Sequence, residues 1–412
     1  MKILLIQHQN FINGFGGTEK ICTFLANGFS DLGHTVEIAT NQNIKGKPVF
    51  ILNEAVKVTN IFSENISQIE LKPTFNYTGF NPIKWFLYKI KKKKVKIQNK
   101  KLLKKNGGNE GIYIKNLNNR ALAWKSYINY LQPDVIITMT IGSLLEITFK
   151  NEYKIPIINS TNGRPDYDYS DILWYRSHIE MTLLKKAYEK LAGIQVLFDS
   201  YKGFLPETFL GKCNIISNPV PQFSESELIN HKISKEKYKI INIASLVTDC
   251  KQQHLAIDAF AAIAKKFPNW ELHFWGEGSD FDFLNNKIKQ LNLEHKIFLN
   301  GFTDDPISKL KDADIFIFPS KYEGFPLALT EAMAVGLPCL GFSSCSGVNE
   351  LISNNKSSFL VKEEELSQYL EKLIESPDLR DTFGKNANFE MKKFNPEKIL
   401  RKWNRFLQQV VG

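Results

Sequence analysis

The chain has 412 residues, a length that corresponds to two or three domains at roughly 150 residues each. Hydrophobic residues make up 43% and charged residues 23%, a balance typical of a globular protein and not of a disordered one. The net charge of +10 favours an anionic partner. The longest apolar runs are much shorter than the ~20 residues of a membrane-spanning helix, and the start "MKILLIQHQN" is too polar for a signal peptide. We therefore expect a cytosolic protein.

The first half of the chain predicts strands that alternate with helices. "KILLIQ" predicts a strand, "NGFGGTEK" a glycine-rich turn, "ICTFLANGFSDLG" a helix that stops near Gly33, and "HTVEIAT" a second strand. "PDVIITM", "IPIINST" and "GIQVLFDS" predict further buried strands, and we expect a long helix from about Asp171 to Ala192. Strands joined through helices pair in parallel, so residues 1–222 should form a Rossmann-like, doubly wound domain.

One segment of this half is unusually basic. Between Lys84 and Lys105 there are eleven lysines and no acidic residue, and aromatic residues such as Trp85 lie among them. Such a segment suits an anionic membrane surface, where each nearby lysine contributes about 1 kcal/mol. A solvated, partly mobile loop is the alternative, which the following "NGGNEG" favours. No nucleic-acid-binding motif accompanies the charge, so we expect membrane contact and no nucleic acid.

The second half repeats the alternation after a break. Two prolines and a polar run in "NIISNPVPQFSESELINHKISKEKYK" predict a linker. Beyond it, strands such as "KIINIASL", "WELHFWGEG" and "ADIFIFPS" alternate with helices expected at 252–266, 280–291, 305–311 and 327–335. Residues 223–394 should therefore form a second doubly wound domain, and a helix over 395–412 closes this domain or crosses back to the first. Ligands of such sheets bind at the strands' C-terminal ends, so the cleft between the domains is the expected site.

The stretch "KYEGFPLALTEA" carries two carboxylates around a turn. Glu323 follows a predicted strand, Pro326 suits the first turn of a helix, and Glu331 projects from that helix. Carboxylates accept hydrogen bonds from vicinal hydroxyls, and a helix N-terminus attracts a phosphate, so a sugar nucleotide would use both. An ordinary helix start explains the stretch equally well when it is considered alone.

With its context, the stretch is more specific. "EGFPLALTEAMAVGLPCL" resembles the E-x7-E signature of the retaining, family-4-type glycosyltransferases (group 1), which have the GT-B fold. "FGGTEK", "LGHTVEIAT", "NIISNPV", "GEG" and "GFTDD" resemble five further segments of that family in the same order. The resemblance extends over the first forty residues and from about Ile240 to Leu351, and it is weak from about Asn41 to Gln132. It implies an α/β protein with two Rossmann-like domains that face each other across a cleft.

The resemblance also implies roles for individual residues. Glu323 would bind the hydroxyls of the donor sugar and Glu331 those of the ribose, while Phe302 would lie beside the nucleobase. Lys251 would neutralise the diphosphate, but Ser245 stands where an arginine is usual. The remaining donor-binding candidates are the glycines and backbone of three loops, namely Gly16, Gly17, Gly276, Gly324, Phe325, Pro326 and Leu327. The implied catalytic pair is Glu323 with Lys251.

On the acceptor side the family's usual histidine is replaced. "STNGRPDYD" occupies the corresponding loop, which makes Thr161, Asn162 and Arg164 the candidates. We expect His8 to end the first strand and not to take this role. We also expect no metal and no cofactor: Lys251 and a helix N-terminus provide positive charge, and the three D-x-D strings (Asp166/Asp168, Asp280/Asp282, Asp312/Asp314) should be surface or helix-start acids.

The expected function is transfer of a hexose or N-acetylhexosamine, with retention, from a nucleotide diphosphate sugar. UDP is the nucleotide we expect, and the acceptor would be a growing cell-surface glycan that is lipid-linked at the cytoplasmic membrane face. Two alternatives stay open: a sugar-nucleotide epimerase on the same fold, and an inactive nucleotide-sugar-binding protein. The departures at Ser245 and at the acceptor loop keep the inactive protein open as an alternative, and E-x7-E favours the transferase over the epimerase.

Overall fold

The computed structural model describes residues 1–172 and 176–412 and contains two parallel β-sheets, each covered by helices. The first sheet has the order β3-β2-β1-β4-β5-β6-β7, and the second has the order β10-β9-β8-β11-β12-β13. The strands of the first sheet are β1 (Lys2–Ile6), β2 (Thr35–Thr40), β3 (Lys57–Asn60), β4 (Val135–Thr138), β5 (Ile157–Ser160), β6 (Gly193–Val196) and β7 (Lys212–Ile215). Those of the second are β8 (Tyr238–Ile243), β9 (Trp270–Trp275), β10 (Ile297–Leu299), β11 (Ile315–Phe318), β12 (Cys339–Phe342) and β13 (Ser358–Val361).

In each sheet the strand order reverses at the first strand of the domain. β1 pairs in parallel with both β2 and β4, and β8 pairs in parallel with both β9 and β11. The chain therefore leaves these two strands toward opposite sides of its sheet, which opens a crevice at their C-terminal ends. The prediction of two doubly wound units is confirmed by these sheets, although the short edge strands β3, β7 and β13 were not predicted.

The helices of the first unit are α1 (Gly17–Asp31), α2 (Pro82–Asn106), α3 (Gly108–Leu131), α4 (Ile141–Thr148) and α5 (His178–Ala187). The predicted first helix is confirmed and buries Ile21, Leu25 and Phe29 against the sheet. The helix expected from about Asp171 to Ala192 is wrong at its start, because α5 begins at His178 behind a Ser177 cap. Residues 173–175 of that stretch lie outside the described residues.

The lysine-rich segment is a helix and not a loop. Asn81 caps the start of α2 by accepting from two backbone amides, and Gly107 ends it in a left-handed conformation. "NGGNEG" is therefore only the corner of a hairpin in which α2 packs on α3, while α3 buries Leu117, Trp124 and Ile128 in the first unit. Nearly all of α2 is exposed. Among the described residues no helix is both long and apolar enough to cross a membrane.

The remaining helices are α6 (Thr248–Lys251), α7 (Gln253–Ile263), α8 (Phe281–Gln290), α9 (Pro306–Lys311), α10 (Leu327–Ala334), α11 (Val348–Leu351), α12 (Leu366–Glu375), α13 (Pro377–Met391) and α14 (Pro396–Val411). The helices expected at 280–291, 305–311 and 327–335 are confirmed within one residue at each end. The helix expected at 252–266 is α7, and the separate turn α6 comes before it. α14 crosses back: its Ile399, Trp403 and Phe406 pack in the core of the first unit beside α1.

Candidate functional site: the cleft between the two sheets

The two glutamates of the E-x7-E stretch lie where strand β11 gives way to helix α10. β11 ends at Phe318, Pro326 caps α10 without a side-chain hydrogen bond, and Leu327 is the first helical residue. Glu323 is thus in the loop and Glu331 is in the second turn, where it is 5% exposed. The start of α10 lines one cavity together with Glu323 and another together with Glu331, and the first amides of a helix have no partner within it. The predicted arrangement of a carboxylate on each side of a helix N-terminus is what the structure contains.

Lys251 contacts Glu323. Its Nζ lies 2.6 Å from Glu323 Oε1, and the two side chains are 21% and 11% exposed. Burial works against the ammonium, but the adjacent Glu323 carboxylate outweighs it and raises the pKa of Lys251 above its ordinary value. Lys251 is therefore a fixed positive charge at neutral pH, held at the end of α6 in the second unit.

Glu331 is paired across the cleft. Its Oε1 accepts from Nζ of Lys20, which lies on α1 in the first unit. Sequence reasoning did not select Lys20, because nothing in "GGTEK" indicates that α1 and α10 meet. The only signal in the sequence was a lysine three residues after the glycine loop, which could have been considered as a phosphate-binding candidate.

Two glycines of the site are required by close approaches. A Cβ on Gly324 would lie 1.8 Å from the carbonyl oxygen of Asn162, in the other unit. Gly276 has φ +142°, and a Cβ there would lie 2.0 Å from the oxygen of Ala244. Both positions therefore need glycine so that backbone can pack on backbone. Gly324 in particular lets the E-x7-E loop contact the first unit.

A large cavity of 940 Å³ opens beside Glu331. Phe15 and Phe302 contact each other edge-to-face on its wall, with ring centroids 4.8 Å apart, and Trp275 also lines it. Gly16, Gly17, Ser245 and Gly276 lie on its wall, as does Leu327. Phe302 is 46% exposed, so its ring is available to stack on a planar group.

The predicted residues of the catalytic pair come together in a neighbouring cavity. Gly16, Gly17, Ser245, Lys251, Glu323, Gly324, Phe325, Pro326 and Leu327 line it, together with Asn162. Every donor-binding candidate thus borders one of two cavities that share the glycine loop and Ser245. Phe325 itself is buried and stacks on Phe198, so it supports the loop from behind.

The three acceptor-side candidates line a smaller cavity of 310 Å³ that also contains Glu323. Thr161 is buried and its hydroxyl donates to the Gln195 carbonyl at 2.9 Å. Arg164 is engaged within its own loop, where it forms two hydrogen bonds with Asp166 and lies over the ring of Phe204. Asn162 contacts the E-x7-E loop, where its carbonyl oxygen lies against Gly324.

His8 was excluded from the site by sequence reasoning, and the structure gives it a different position. β1 ends at Ile6, and His8 lies beyond it on the wall of a polar cavity of 470 Å³. Its Nδ1 is 2.9 Å from Ser143 Oγ, and its Nε2 is 3.9 Å from the buried Glu146. Burial lowers the pKa of His8 despite the opposing effect of Glu146, so the imidazole is neutral at neutral pH. This cavity shares Thr18, Thr140 and Arg176 with the acceptor-side cavity.

Aspartates of two of the D-x-D strings pair with basic side chains. Asp314 is buried and accepts from Lys235 Nζ at 2.7 Å and from the Lys239 amide, so the expectation of a surface acid is wrong for it. Asp168 pairs with Arg176, and burial raises its pKa to about 6. Within residues 1–172 and 176–412 no cluster of three His, Cys, Asp or Glu side chains is suited to a metal ion.

Comparison with known proteins agrees with this geometry. Residues 224–389 match the family model of the glycosyl transferases group 1. The second unit is a group 1 glycosyltransferase domain. It contains the E-x7-E loop, Lys251 and Ser245, whereas Lys20 and the acceptor-side candidates lie outside the match.

Two relatives align with about two fifths and just under half of this chain. The poly(ribitol-phosphate) alpha-N-acetylglucosaminyltransferase of Staphylococcus aureus is 31% identical over 169 residues, 40% of this chain and 34% of that protein. The N-acetylgalactosamine-N,N'-diacetylbacillosaminyl-diphospho-undecaprenol 4-alpha-N-acetylgalactosaminyltransferase of Campylobacter jejuni is 30% identical over 196 residues, 46% of this chain and 52% of that protein. The chain therefore spans about a third to a half of the length of these relatives.

A solved structure covers the whole chain. A mutant of S. aureus TarM, in complex with fondaparinux, alpha-GlcNAc-glycerol and UDP, superposes with a TM-score of 0.74. The match covers 100% of this chain and 99% of that one at 18% identity. At that identity the likeness establishes the fold, and the two facing Rossmann-like units have the GT-B arrangement.

Proposed function

We propose that this protein is a retaining glycosyltransferase that moves a hexose or N-acetylhexosamine from a UDP-sugar to a growing cell-surface glycan. One observation carries the proposal: Lys251, Glu323 and Glu331 converge on the N-terminus of α10, beside a cavity large enough for a nucleotide. Two carboxylates that accept hydrogen bonds from sugar and ribose hydroxyls, and one fixed cation for the diphosphate, are the groups that a nucleotide sugar requires.

The donor would lie along the two cavities that share Ser245. The nucleobase would stack on Phe302, the ribose hydroxyls would donate to Glu331, and the diphosphate would pass Gly17. Lys251 and the amides at the start of α10 would face the phosphates, which is where negative charge develops during transfer. Glu323 would then hold the sugar hydroxyls, and its ion pair with Lys251 keeps both groups in place.

Transfer would proceed by positioning and charge stabilisation. The bond between the sugar C1 and the phosphate oxygen breaks, and its electron pair goes to the diphosphate. An acceptor hydroxyl enters on the same face, forms the new bond to C1, and gives its proton to the departing phosphate. The anomeric configuration is retained in this way. The chain's share is to hold donor and acceptor in register and to stabilise the diphosphate.

The acceptor would approach from the first unit. The cavity lined by His8, Arg120 and Glu146 is mainly polar and joins the acceptor-side cavity at Thr18, so a chain of sugar hydroxyls could pass from one to the other. The Campylobacter relative acts on a diphospho-undecaprenol acceptor by its name, which supports a lipid-linked glycan. UDP in the complex of the similar TarM fold supports the nucleotide.

A membrane surface is the second partner that we propose. α2 is exposed on nearly all sides and carries lysines together with Trp85, Phe86 and Leu87, which are each at least half exposed. Lysines attract anionic headgroups, and aromatic side chains settle at the interface between headgroups and acyl chains. The partner helix α3 provides Arg120 and Tyr113 to the polar cavity, so a bilayer on α2 would bring a lipid-linked acceptor near the cleft.

A panel of nucleotide sugars tests the proposal. We expect a UDP-sugar to be consumed only when a polyprenyl-diphosphate-linked glycan is present, with a product of the donor's anomeric configuration. Glu323→Gln should abolish transfer, whereas Glu294→Gln, an exposed loop glutamate of the same domain, should not. Interconversion of the donor sugar without an acceptor would identify an epimerase. Binding of a UDP-sugar without turnover under any acceptor condition would identify an inactive binding protein.

A further inference from the structure

The ion pair between Lys20 and Glu331 joins the two domains at the donor site. Lys20 belongs to the first turns of α1, and Glu331 belongs to the second turn of α10. The two helix starts are in contact, since a Cβ on Gly17 would lie 3.2 Å from Leu327 Cδ1. Glu331 is 7% exposed at its side chain, whereas Lys20 is 44% exposed and can move into the cleft.

The donor site lacks a cation at the position of Ser245. Ser245 is exposed and borders both cavities, the one that contains Lys251 and the one that contains Lys20. A diphosphate that runs from one cavity to the other would lie along the wall that they share, which includes Ser245 and the glycine loop. On this path Lys251 lies on one side and Lys20 lies on the other, so the two ammonium groups flank the position where charge is missing.

A bound ribose would compete with Lys20 for Glu331. In the structure the Glu331 carboxylate accepts a hydrogen bond from Lys20. Ribose hydroxyls that donate to Glu331 need the same carboxylate oxygens and therefore displace the ammonium. In a nucleoside diphosphate the phosphates begin one carbon away from the ribose ring, and the four-carbon stem of lysine lets its three donors turn to a nearby anion. The displaced ammonium then has phosphate oxygens within its reach.

We propose that Lys20 is a second diphosphate-binding cation, which leaves Glu331 for the phosphate oxygens when the ribose binds. This role of Lys20 rests on the proposed function, and Lys20 lies outside the segment that matches the family model. When the C1–O bond breaks, its electron pair stays on the phosphate oxygen, and the ammonium groups of Lys20 and Lys251 face that charge. Both lysines keep their protons, and the acceptor's proton goes to the phosphate.

A purely structural role of Lys20 predicts different behaviour. If the ion pair only ties the domains together, its loss leaves Glu331 free and affects a nucleoside and its diphosphate alike. If Lys20 binds phosphate, its loss weakens the diphosphate alone. The difference between the two ligands therefore separates the roles, and it does so without a known acceptor.

Isothermal titration calorimetry with UDP and with uridine tests the proposal. The variants are Lys20→Met, Lys20→Arg, Lys20→Met with Ser245→Arg, and Lys125→Met, which removes an exposed lysine on α3. A hydrogen bond to a charged group contributes roughly 1.5–3 kcal/mol, so Lys20→Met should weaken UDP about ten- to a hundredfold. Uridine affinity should not fall and should rise if anything, because the ribose no longer has to displace Lys20 from Glu331. Lys20→Arg should keep most of the UDP affinity, and Ser245→Arg should restore it in the Lys20→Met protein.

Three results refute the assignment in distinguishable ways. Equal UDP affinity of wild type and Lys20→Met refutes the role of Lys20 and leaves the proposed function intact. Equal losses for uridine and UDP would mean that the ion pair is structural. A wild-type protein that binds neither UDP nor any UDP-sugar refutes the proposed function, and the role of Lys20 with it. Thermal unfolding of each variant shows that the compared proteins are folded.

Discussion

Substitutions of Lys251 and Glu323 should affect stability and activity differently: removing both charges should restore the stability that one substitution loses, but it should not restore transfer. Its Nζ to Oε1 distance is 2.6 Å, and both side chains are largely buried. Lys251→Met removes the cation and leaves the Glu323 carboxylate in a site that is only 11% exposed. Loss of one partner of a buried pair costs about 3–5 kcal/mol because the other charge is left uncompensated. Since Lys251 is still in contact with water, we expect a loss near the lower limit, about 3 kcal/mol.

The double variant Lys251→Met with Glu323→Gln should recover most of this stability. Both charges are then absent, and a neutral pair of similar shape is often as stable as the ion pair it replaces. The free energy of unfolding is measured by urea denaturation for the wild type, both single variants and the double variant. Transfer should be lost in all three variants whatever their stability. Each variant lacks the lysine that faces the diphosphate, the carboxylate that binds the sugar hydroxyls, or both.

A double variant that is as unstable as Lys251→Met would refute this account of the pair. The destabilisation would then arise from lost packing of the lysine stem and not from an unpaired carboxylate. Full transfer activity in the folded double variant would instead refute the placement of the donor diphosphate and sugar at these two residues.

Three further predictions concern the lysine-rich helix, an acid of the acceptor loop and the domain contact. Replacement of the four lysines at 91–94 by glutamine should weaken binding to anionic liposomes roughly a thousandfold at about 1 kcal/mol per lysine, with neutral liposomes as the control; unchanged binding would refute the membrane role of α2. Asp168 has its pKa raised to about 6 by burial, so its contribution to stability is complete below its unfolded pKa and is lost as pH rises through about 6. Asp168→Asn should therefore flatten the decline of unfolding free energy between roughly pH 4 and 6, and an unchanged slope would contradict the shift. Gly324→Ala should reduce transfer strongly, since its Cβ would lie 1.8 Å from the Asn162 oxygen, whereas Gly203→Ala, with nothing within 4 Å, should not; equal activities measured in parallel would show that the contact is dispensable.

The central strands of the two sheets could be predicted because each is a short, continuous apolar run. "KILLI", "VIIT" and "IFIF" are continuous apolar runs, and each is buried on both faces in a parallel sheet. The edge strand β3, "KVTN", could not be predicted, because an edge strand is half exposed and lacks such a run. Its place is set by pairing with β2, which is a tertiary contact.

The lysine-rich segment shows a second limit of the sequence pattern. α2 carries charge on nearly every face and has no apolar stripe, so periodicity gives no sign of a helix. Lysine and leucine favour helices intrinsically, and the Asn81 cap with Pro82 marks the start. These local signals were present, but the lack of a buried face made a loop look equally suitable.

The residues of the candidate site in the second domain were predictable from local patterns, whereas in the first domain the glycine loop and the acceptor loop were predicted and Lys20 was missed. E-x7-E fixes two carboxylates around a helix start by local geometry alone, and Lys251 follows from the same family pattern. The partners from the first unit depend on how the two domains meet. Tyr201 donates to the Gly324 carbonyl at 2.9 Å, and Tyr167 contacts Ser346, yet these pairs are more than a hundred residues apart.

The same interdomain contacts bear on how the proposed donor would enter. The Glu331 carboxylate accepts a hydrogen bond from Lys20, and the Gly324 backbone packs directly on Asn162. On the proposed function, a nucleotide that binds Glu331 would break a contact between the domains, and its phosphates would supply a new anion for the released lysine. The free energy of the lost ion pair would be offset in this way, and the bound nucleotide would keep the two domains joined. The proposal therefore couples donor binding to domain contact at a single carboxylate, which belongs to the second domain and pairs with a lysine of the first.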